Sequence, residues 1–62
     1  MILDKIIDLE LALLKRNRIP RRILINITSY NLLVKELDST AYLEFIHNME
    51  IVITNSTQLV IV

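Results

Sequence analysis

The residue best suited to chemistry in this chain is its single histidine, His47. Two carboxylates lie close to it in the sequence, Glu44 and Glu50. A histidine can act as a general acid or base, but nucleophilic catalysis also needs a nucleophile held against the ring. The hydroxyls nearby, between positions 39 and 54, belong to no recognisable catalytic motif. We therefore expect His47 to be a surface or turn residue.

The remaining candidate chemistry is acidic. Asp4 and Asp8 lie one helical turn apart and could hold a cation, but such a pair is more typical of the wet face of an amphipathic helix. The chain contains no Cys for thiolate ligands and no Gly for a phosphate-binding loop. We expect no catalytic residues, metal ligands, cofactor or small-molecule substrate, and predict that the protein is not an enzyme.

Five basic residues give positions 15–22 a charge of +5, in a chain whose net charge is zero. This basic patch consists of Lys15, Arg16, Arg18, Arg21 and Arg22. Clustered cations can bind nucleic-acid phosphates, but such binders usually also have a positive overall charge or stacking aromatic residues near the patch, and both are lacking. The patch is predicted to orient contact with a protein partner. A small nucleic-acid-binding regulator is the alternative.

The first element is predicted to be a helix over residues 2–17. Its apolar residues occupy an arc of roughly 200°, about twice the width needed to face one core. We therefore expect the helix to contact both the core and a partner. Glu10 lies near the middle of the arc, where an unpaired carboxylate would be costly to bury, so its partner should show how the arc is covered. Pro20 is expected to end the helix.

The middle of the chain is predicted to contain a strand and a helix. Alternating and β-branched residues favour a strand over 21–27. Thr28 and Ser29 offer a hydroxyl cap for a second helix over 29–37. Residues 40–47 are predicted to form a short third helix, although their alternation also fits a strand.

The last segment, residues 49–62, is predicted to be a β-hairpin of two apolar strands. Its tip would be Asn55–Ser56, because Asn tolerates the positive φ of a primed turn. Since the chain has no Gly, we expect Asn17, Asn48 and Asn55 to occupy its turn positions.

These elements predict a small single α+β domain, in the order α-β-α-(α)-β-β, with helices packed on a three-stranded mixed sheet. A chain of 62 residues buries only about 60% of its unfolded surface, and 53% of these residues are apolar. Without disulfides, oligomerisation is the remaining common support. We therefore expect a homo-oligomer or a larger protein partner. The candidate partner-binding residues are Ile7, Glu10, Leu14, Ile51, Ile53, Leu59 and Ile61.

Neither a membrane span nor a secretory signal is expected. The longest uncharged runs, 23–34 and 51–62, have 12 residues each, and a span needs about 20. The first residues include Asp4 and lack a basic region ahead of an apolar stretch. These features predict a cytoplasmic protein.

Three stretches, 22–37, 46–55 and 59–62, resemble a subdomain of tailed-phage major capsid proteins and encapsulins. In that family an apolar strand ends in a small polar cap and leads into a helix with an aromatic residue near its start. A hairpin of two apolar strands follows after a variable loop. The strand, the helix with Tyr30 and the apolar end of this chain follow in the same order.

The resemblance extends over the span 22–62, about 40 of the 62 residues, and departs from the family at the hairpin. The Gly and Pro residues common there are replaced by Asn48–Met49 and Asn55–Ser56. The chain is also far shorter than a capsid subunit. The resemblance implies a miniature of the subdomain in a small phage-encoded protein, located in the host cytoplasm or the virion. It would act as a structural component or as an inhibitor of a host protein.

Overall fold

The computed structural model describes residues 1–38 and 43–62. The described elements, in chain order, are α1 (Ile2–Lys15), β1 (Arg22–Ile25), α2 (Ile27–Glu36), β2 (Phe45–Ile46), β3 (Met49–Ile53) and β4 (Val60–Ile61). The predicted α+β class is confirmed, although the sheet has four strands where three were expected. Within the described part of the chain, no helix has the length and apolar character needed to cross a membrane.

The strands form one mixed sheet in the order β2-β3-β1-β4. β1 is parallel to β3 and antiparallel to β4. The predicted hairpin over 49–62 is therefore wrong, because β1 lies between its two strands. Four consecutive β1 residues pair with β3, so this parallel ladder replaces the local pairing expected from sequence proximity. Parallel strands need a crossover connection, and α2 lies in the one between β1 and β3.

A hairpin does form earlier in the chain, between β2 and β3. Its two-residue turn is His47–Asn48, with φ of 49° and 63°. Positive φ at both central residues is characteristic of a type I′ turn, which matches the twist of the flanking strands. The predicted short helix at 40–47 lies partly outside the described residues. In the described portion, Phe45–Ile46 is a strand, in agreement with the alternative reading.

The end of α1 is set by Asn17, and not by Pro20 as predicted. Asn17 has a φ of 60°, and its N–H donates to the Leu14 carbonyl at 3.0 Å. The next N–H, that of Arg18, reaches back to the Leu13 carbonyl at 3.0 Å. These two bonds form a Schellman motif, which satisfies helix carbonyls that would otherwise lack donors. The helix therefore ends two residues before the predicted boundary at position 17.

Asn26 ends β1 and starts α2. Its Oδ1 accepts a hydrogen bond from the Ser29 N–H at 2.8 Å, the usual N-cap geometry. The cap therefore falls on Asn26 instead of the predicted Thr28 and Ser29. This explains why the strand stops at Ile25 and the helix begins two residues before position 29.

One hydrophobic core lies between the sheet and the helices. Five of its buried side chains come from β1, β3 and β4, and three come from the two helices. The buried residues are Ile6, Ile23, Ile25, Tyr30, Leu33, Met49, Ile51 and Ile61. Since side chains alternate across a strand, the five sheet residues all lie on one face. The helices therefore cover one face of the sheet.

Two polar contacts tie α2 to distant parts of the chain. The Glu36 carboxylate accepts hydrogen bonds from the N–H groups of Ile2 and Leu3, at 2.8 and 3.1 Å, and so caps α1. The bonds from Leu3 and then Ile2 hold the pKa of the Glu36 carboxyl below its usual value. The Tyr30 hydroxyl accepts from the Leu43 N–H at 2.8 Å and donates to its carbonyl at 3.2 Å. This contact positions the chain just before β2.

Candidate functional site

The sheet face opposite the core forms a continuous surface that we call the open face. Its members follow from the register: Phe45 and Arg22 both pair with Glu50, and Leu24 pairs with Val52 and Val60. Val62 lies opposite Arg22, with which it exchanges two backbone hydrogen bonds of 2.9 and 3.0 Å. Residues paired in register point to the same side of a sheet. The open face therefore comprises Arg22, Leu24, Phe45, Glu50, Val52, Val60 and Val62.

The open face is apolar and accessible. Phe45 is 60% exposed and Val62 53% exposed, which are high values for side chains of this type. Leu24, Val52 and Val60 are half-buried by their neighbours in the sheet. Among the described residues, the apolar side chains that pack around the core do not include these three. They therefore form the apolar centre of the open face.

A single ion pair crosses the open face. Arg22 Nε lies 3.2 Å from Glu50 Oε1, and the two side chains are 60% and 51% exposed. Such an exposed pair contributes about 0–1 kcal/mol to stability, because water screens it and two long side chains are ordered. Its charges cancel, so the open face has no net charge. This neutrality bears on which partner the face can bind.

A second apolar surface lies on α1, on the part of the helix turned away from the core. Ile7, Leu11 and Leu14 follow one another at helical spacing and form what we call the helix ridge. Leu11 is 51% exposed, Leu14 is 48% exposed and Ile7 is half-buried. The wide apolar arc is therefore split, with one half in the core and the other half exposed.

Glu10 lies between these two halves, and its partner is His47. Glu10 Oε1 is 3.1 Å from His47 Nδ1 at the tip of the β2–β3 hairpin. The Glu10 side chain is 21% exposed and that of His47 is 49% exposed. Within 1–38 and 43–62, no Ser or Thr hydroxyl is hydrogen-bonded to the imidazole. His47 occupies the hairpin turn, as expected. Its contact with Glu10 therefore connects this turn to α1.

The basic patch surrounds the end of α1 and the start of β1, and all five of its side chains are exposed. Arg22 belongs to the open face and pairs with Glu50. The other four make no ion pair with any described residue. Ile19 projects from the same segment and is 75% exposed. The patch therefore combines free cations with one accessible apolar side chain.

The structure brings together only part of the predicted partner surface. Ile7 and Leu14 lie on the helix ridge, and Glu10 contacts His47. The other four predicted residues fall on the covered side of the sheet, where Ile53, the register partner of the buried Ile25, is still 39% exposed because it lies at the end of β3. Ile51 and Ile61 are each 7% exposed within the core, and Leu59 packs against it. Assigning Ile51 and Ile61 to a partner surface was wrong, because both point toward the helices.

Sequence reasoning did not single out the apolar residues of the open face, Leu24, Val52, Val60 and Phe45. A usable signal was present: Leu24 alternates with Ile23 and Ile25, and Arg22 marks its side of the strand as the accessible one. The sequence did not show that β1 pairs with β3 and β4, and this pairing is what places Val52 and Val60 on the same side of the sheet as Leu24.

No three His, Asp or Glu side chains in the described ranges are arranged to hold a metal ion. Comparisons with protein-family models, with curated proteins and with solved structures gave no match to this chain. The resemblance to the capsid subdomain consequently stays a prediction.

Proposed function

We propose that this protein is a non-enzymatic interaction module that binds another protein chain through its open face. The observation that supports this proposal is the contrast between the two faces of the sheet. One face is packed under two helices, whereas the other presents Leu24, Val52 and Val60 with Phe45 and Val62 accessible at its sides. Contiguous exposed apolar surface in a small protein is typical of an interaction site.

The form and charge of the open face favour a protein partner. A sheet face offers a broad surface on which another set of apolar side chains can pack, as in a β-sandwich. The cancelling charges of Arg22 and Glu50 give no electrostatic attraction to a polyanion. The partner is a second copy of this chain or a larger protein. The capsid resemblance adds two roles, a structural component of a virion and an inhibitor of a host protein.

Substitution of Val52 by Asp tests the proposal. The variant places a carboxylate at the centre of the open face, where a partner would have to bury it without a counter-charge. Leu32→Asp is the matched control, because it places the same charge on an exposed apolar position of α2 that belongs neither to the open face nor to the helix ridge. Each tagged protein is immobilised and exposed to untagged wild-type protein, and separately to a lysate of the cells that naturally produce it.

The wild type and Leu32→Asp are expected to retain the same chain or protein, and Val52→Asp is expected to lose it. Far-UV circular dichroism must show that all three proteins are folded. Equal retention by folded Val52→Asp, or no retention by the wild type in either arm, would contradict the proposal.

A second candidate function is nucleic-acid binding through the basic patch. The observation in its favour is the set of four exposed cations that pair with no described carboxylate, Lys15, Arg16, Arg18 and Arg21. Retention on a DNA column, measured as a function of salt, tests it. A phosphate-binding patch gives an affinity that falls steeply with salt, and each lost Lys or Arg contact lowers that slope by about one. Arg18→Gln should lower the slope, and an unchanged slope would remove this candidate.

A further inference from the structure

The open face is built as two parallel rows across the four strands. The first, which we call the charged row, runs from β2 through β3 and β1 to the β4 side as Phe45, Glu50, Arg22 and Val62. The second, the apolar row, lies one pleat further along and consists of Val52, Leu24 and Val60. The order of residue types in these rows decides which surface can be packed against them.

The charged row is complementary to itself when it is reversed. It reads apolar, negative, positive, apolar, so turning it around places each charge over the opposite charge and each apolar residue over an apolar one. In the apolar row, reversal places Val52 over Leu24, while Val60 lies over the β2 side of the second copy, which contributes no residue to this row. We propose, as an extension of the proposed function, that the open face binds the open face of a second copy of this chain, about a two-fold axis parallel to β1 and β3.

The strand order places that axis between the two central strands. β3 and β1 occupy the middle of the sheet, so a two-fold rotation about a line between them exchanges β3 with β1 and β2 with β4. Arg22 and Glu50 are register partners, and each therefore lies over the other residue type in the second copy. In the same way Phe45 lies over Val62, and Val52 over Leu24. Such an interface is isologous, as in most homodimers.

The distances in a two-sheet packing suit these contacts. Aligned sheets stack about 10 Å apart with strands about 30° from parallel. Arg and Glu are long enough to meet across that gap, whereas Val and Leu fill it. The charged row lies at the end of the sheet, since Arg22 is the first residue of β1. Its two intermolecular ion pairs would therefore form in the polar rim of the interface, beside an apolar centre.

The size of the open face sets the expected strength of the dimer. Four strands spaced by about 4.8 Å and about five residues of 3.3 Å outline a surface of roughly 20 by 16 Å. Each copy therefore loses roughly 320 Å², and the pair roughly 640 Å², which is below the roughly 1,200–2,000 Å² of stable specific interfaces and fits a weak, transient one. We expect a reversible dimer with a dissociation constant in the micromolar range or weaker.

Reversing the charges of Arg22 and Glu50 distinguishes the two-fold dimer from other modes of binding at the open face. Arg22→Glu makes both charges of the row negative, and Glu50→Arg makes both positive. Each variant alone should repel its own copy, whereas a mixture places a negative row over a positive row. The double variant Arg22→Glu/Glu50→Arg reads apolar, positive, negative, apolar and is again complementary to itself. The folds should persist, because the Arg22–Glu50 pair is exposed.

Sedimentation velocity over a dilution series, with native mass spectrometry to identify the species, measures the outcome. We expect each single variant to dimerise at least about tenfold more weakly than the wild type. We expect the equimolar mixture to form a one-to-one heterodimer and the double variant to recover the homodimer. Circular dichroism confirms that each variant is folded.

Three results would overturn the inference: a wild type that is monomeric up to its solubility limit, single variants that dimerise as strongly as the wild type, or a mixture without heterodimer. The proposed function has a separate test. If Val52→Asp abolishes binding to a different protein while charge reversal has no effect on self-association, the open face is an interface for that protein and the two-fold dimer is wrong. If Val52→Asp also has no effect, both proposals fail.

Discussion

Replacing Ile51 and Val52 with Thr, one at a time, tests which side of β3 faces the core. The two residues are adjacent, and Thr is β-branched, so the preference for a strand is preserved in both variants. Ile51 is 7% exposed among the core side chains, whereas Val52 is half-buried on the open face. Ile51→Thr and Val52→Thr should therefore lower the free energy of unfolding by unequal amounts.

The expected magnitudes follow from burial. Ile51→Thr removes the buried Cδ1 methyl, which costs about 1 kcal/mol, and replaces Cγ1 with a hydroxyl that lacks an assigned acceptor, which costs about 1–3 kcal/mol. The total of about 2–4 kcal/mol is a large fraction of the roughly 3–9 kcal/mol expected for a protein of this length. Val52→Thr conserves volume, and its hydroxyl can reach water, so we expect a loss below about 1 kcal/mol.

Urea denaturation followed by far-UV circular dichroism measures both variants, at a dilution where self-association does not contribute. The midpoint should fall strongly for Ile51→Thr and little for Val52→Thr. In the hairpin predicted from sequence, both residues were expected to lie on covered faces, and the two losses would then be similar. Similar losses would refute the assignment of β3 faces on which the open face depends.

Three further predictions concern the chain's turns and caps. Asn17→Val should lower the free energy of unfolding by about 1–2 kcal/mol, because a β-branched side chain is strained at a φ of 60°. Asn17→Gly should change it little. Equal effects of the two substitutions in urea titrations would contradict the left-handed cap at Asn17. Because hydrogen bonds from Leu3 and Ile2 lower the pKa of Glu36 in the folded protein, the ionised carboxylate contributes its full stabilisation above the ordinary pKa of 4.5. This stabilisation is lost as the pH falls through the lower pKa of the folded protein. Glu36→Gln should therefore flatten the acid side of the stability–pH curve, and an unchanged acid slope would count against the cap. Asn48→Gly should raise Tm in calorimetry, because Gly is preferred at the second position of a type I′ turn; a lower Tm would argue against this turn.

Part of the candidate site was within reach of sequence analysis. The helix ridge follows from the width of the apolar arc on α1, because helical spacing fixes which residues share a side. The exposure of the basic patch follows from its charge. The open face could not be assigned in the same way, because β4 is apolar at both positions and β3 has a single charged residue, Glu50, to mark its accessible side. Only the strand pairing shows that the sides marked by Glu50 and Arg22 form one face with Val60 of β4.

The sequence by itself determined the two helices of this protein and some of its turn positions. Helical periodicity determined α1 and α2. The left-handed positions are Asn17, Asp38, His47 and Asn48, of which only Asn17 and Asn48 were expected, and the expected Asn55 is not among them. These features depend on neighbouring residues and on the φ and ψ that each residue type tolerates.

The tertiary structure decided which elements meet. β1 lies between β3 and β4, and the Glu36 carboxylate caps α1, whose first residues are more than 30 positions earlier in the chain. Glu10 contacts His47, which is 37 positions further along the chain. In each case several partners are equally compatible with the local sequence. The choice depends on the free energy of the packed chain, in which burying one continuous apolar face outweighs pairing strands that are close in sequence.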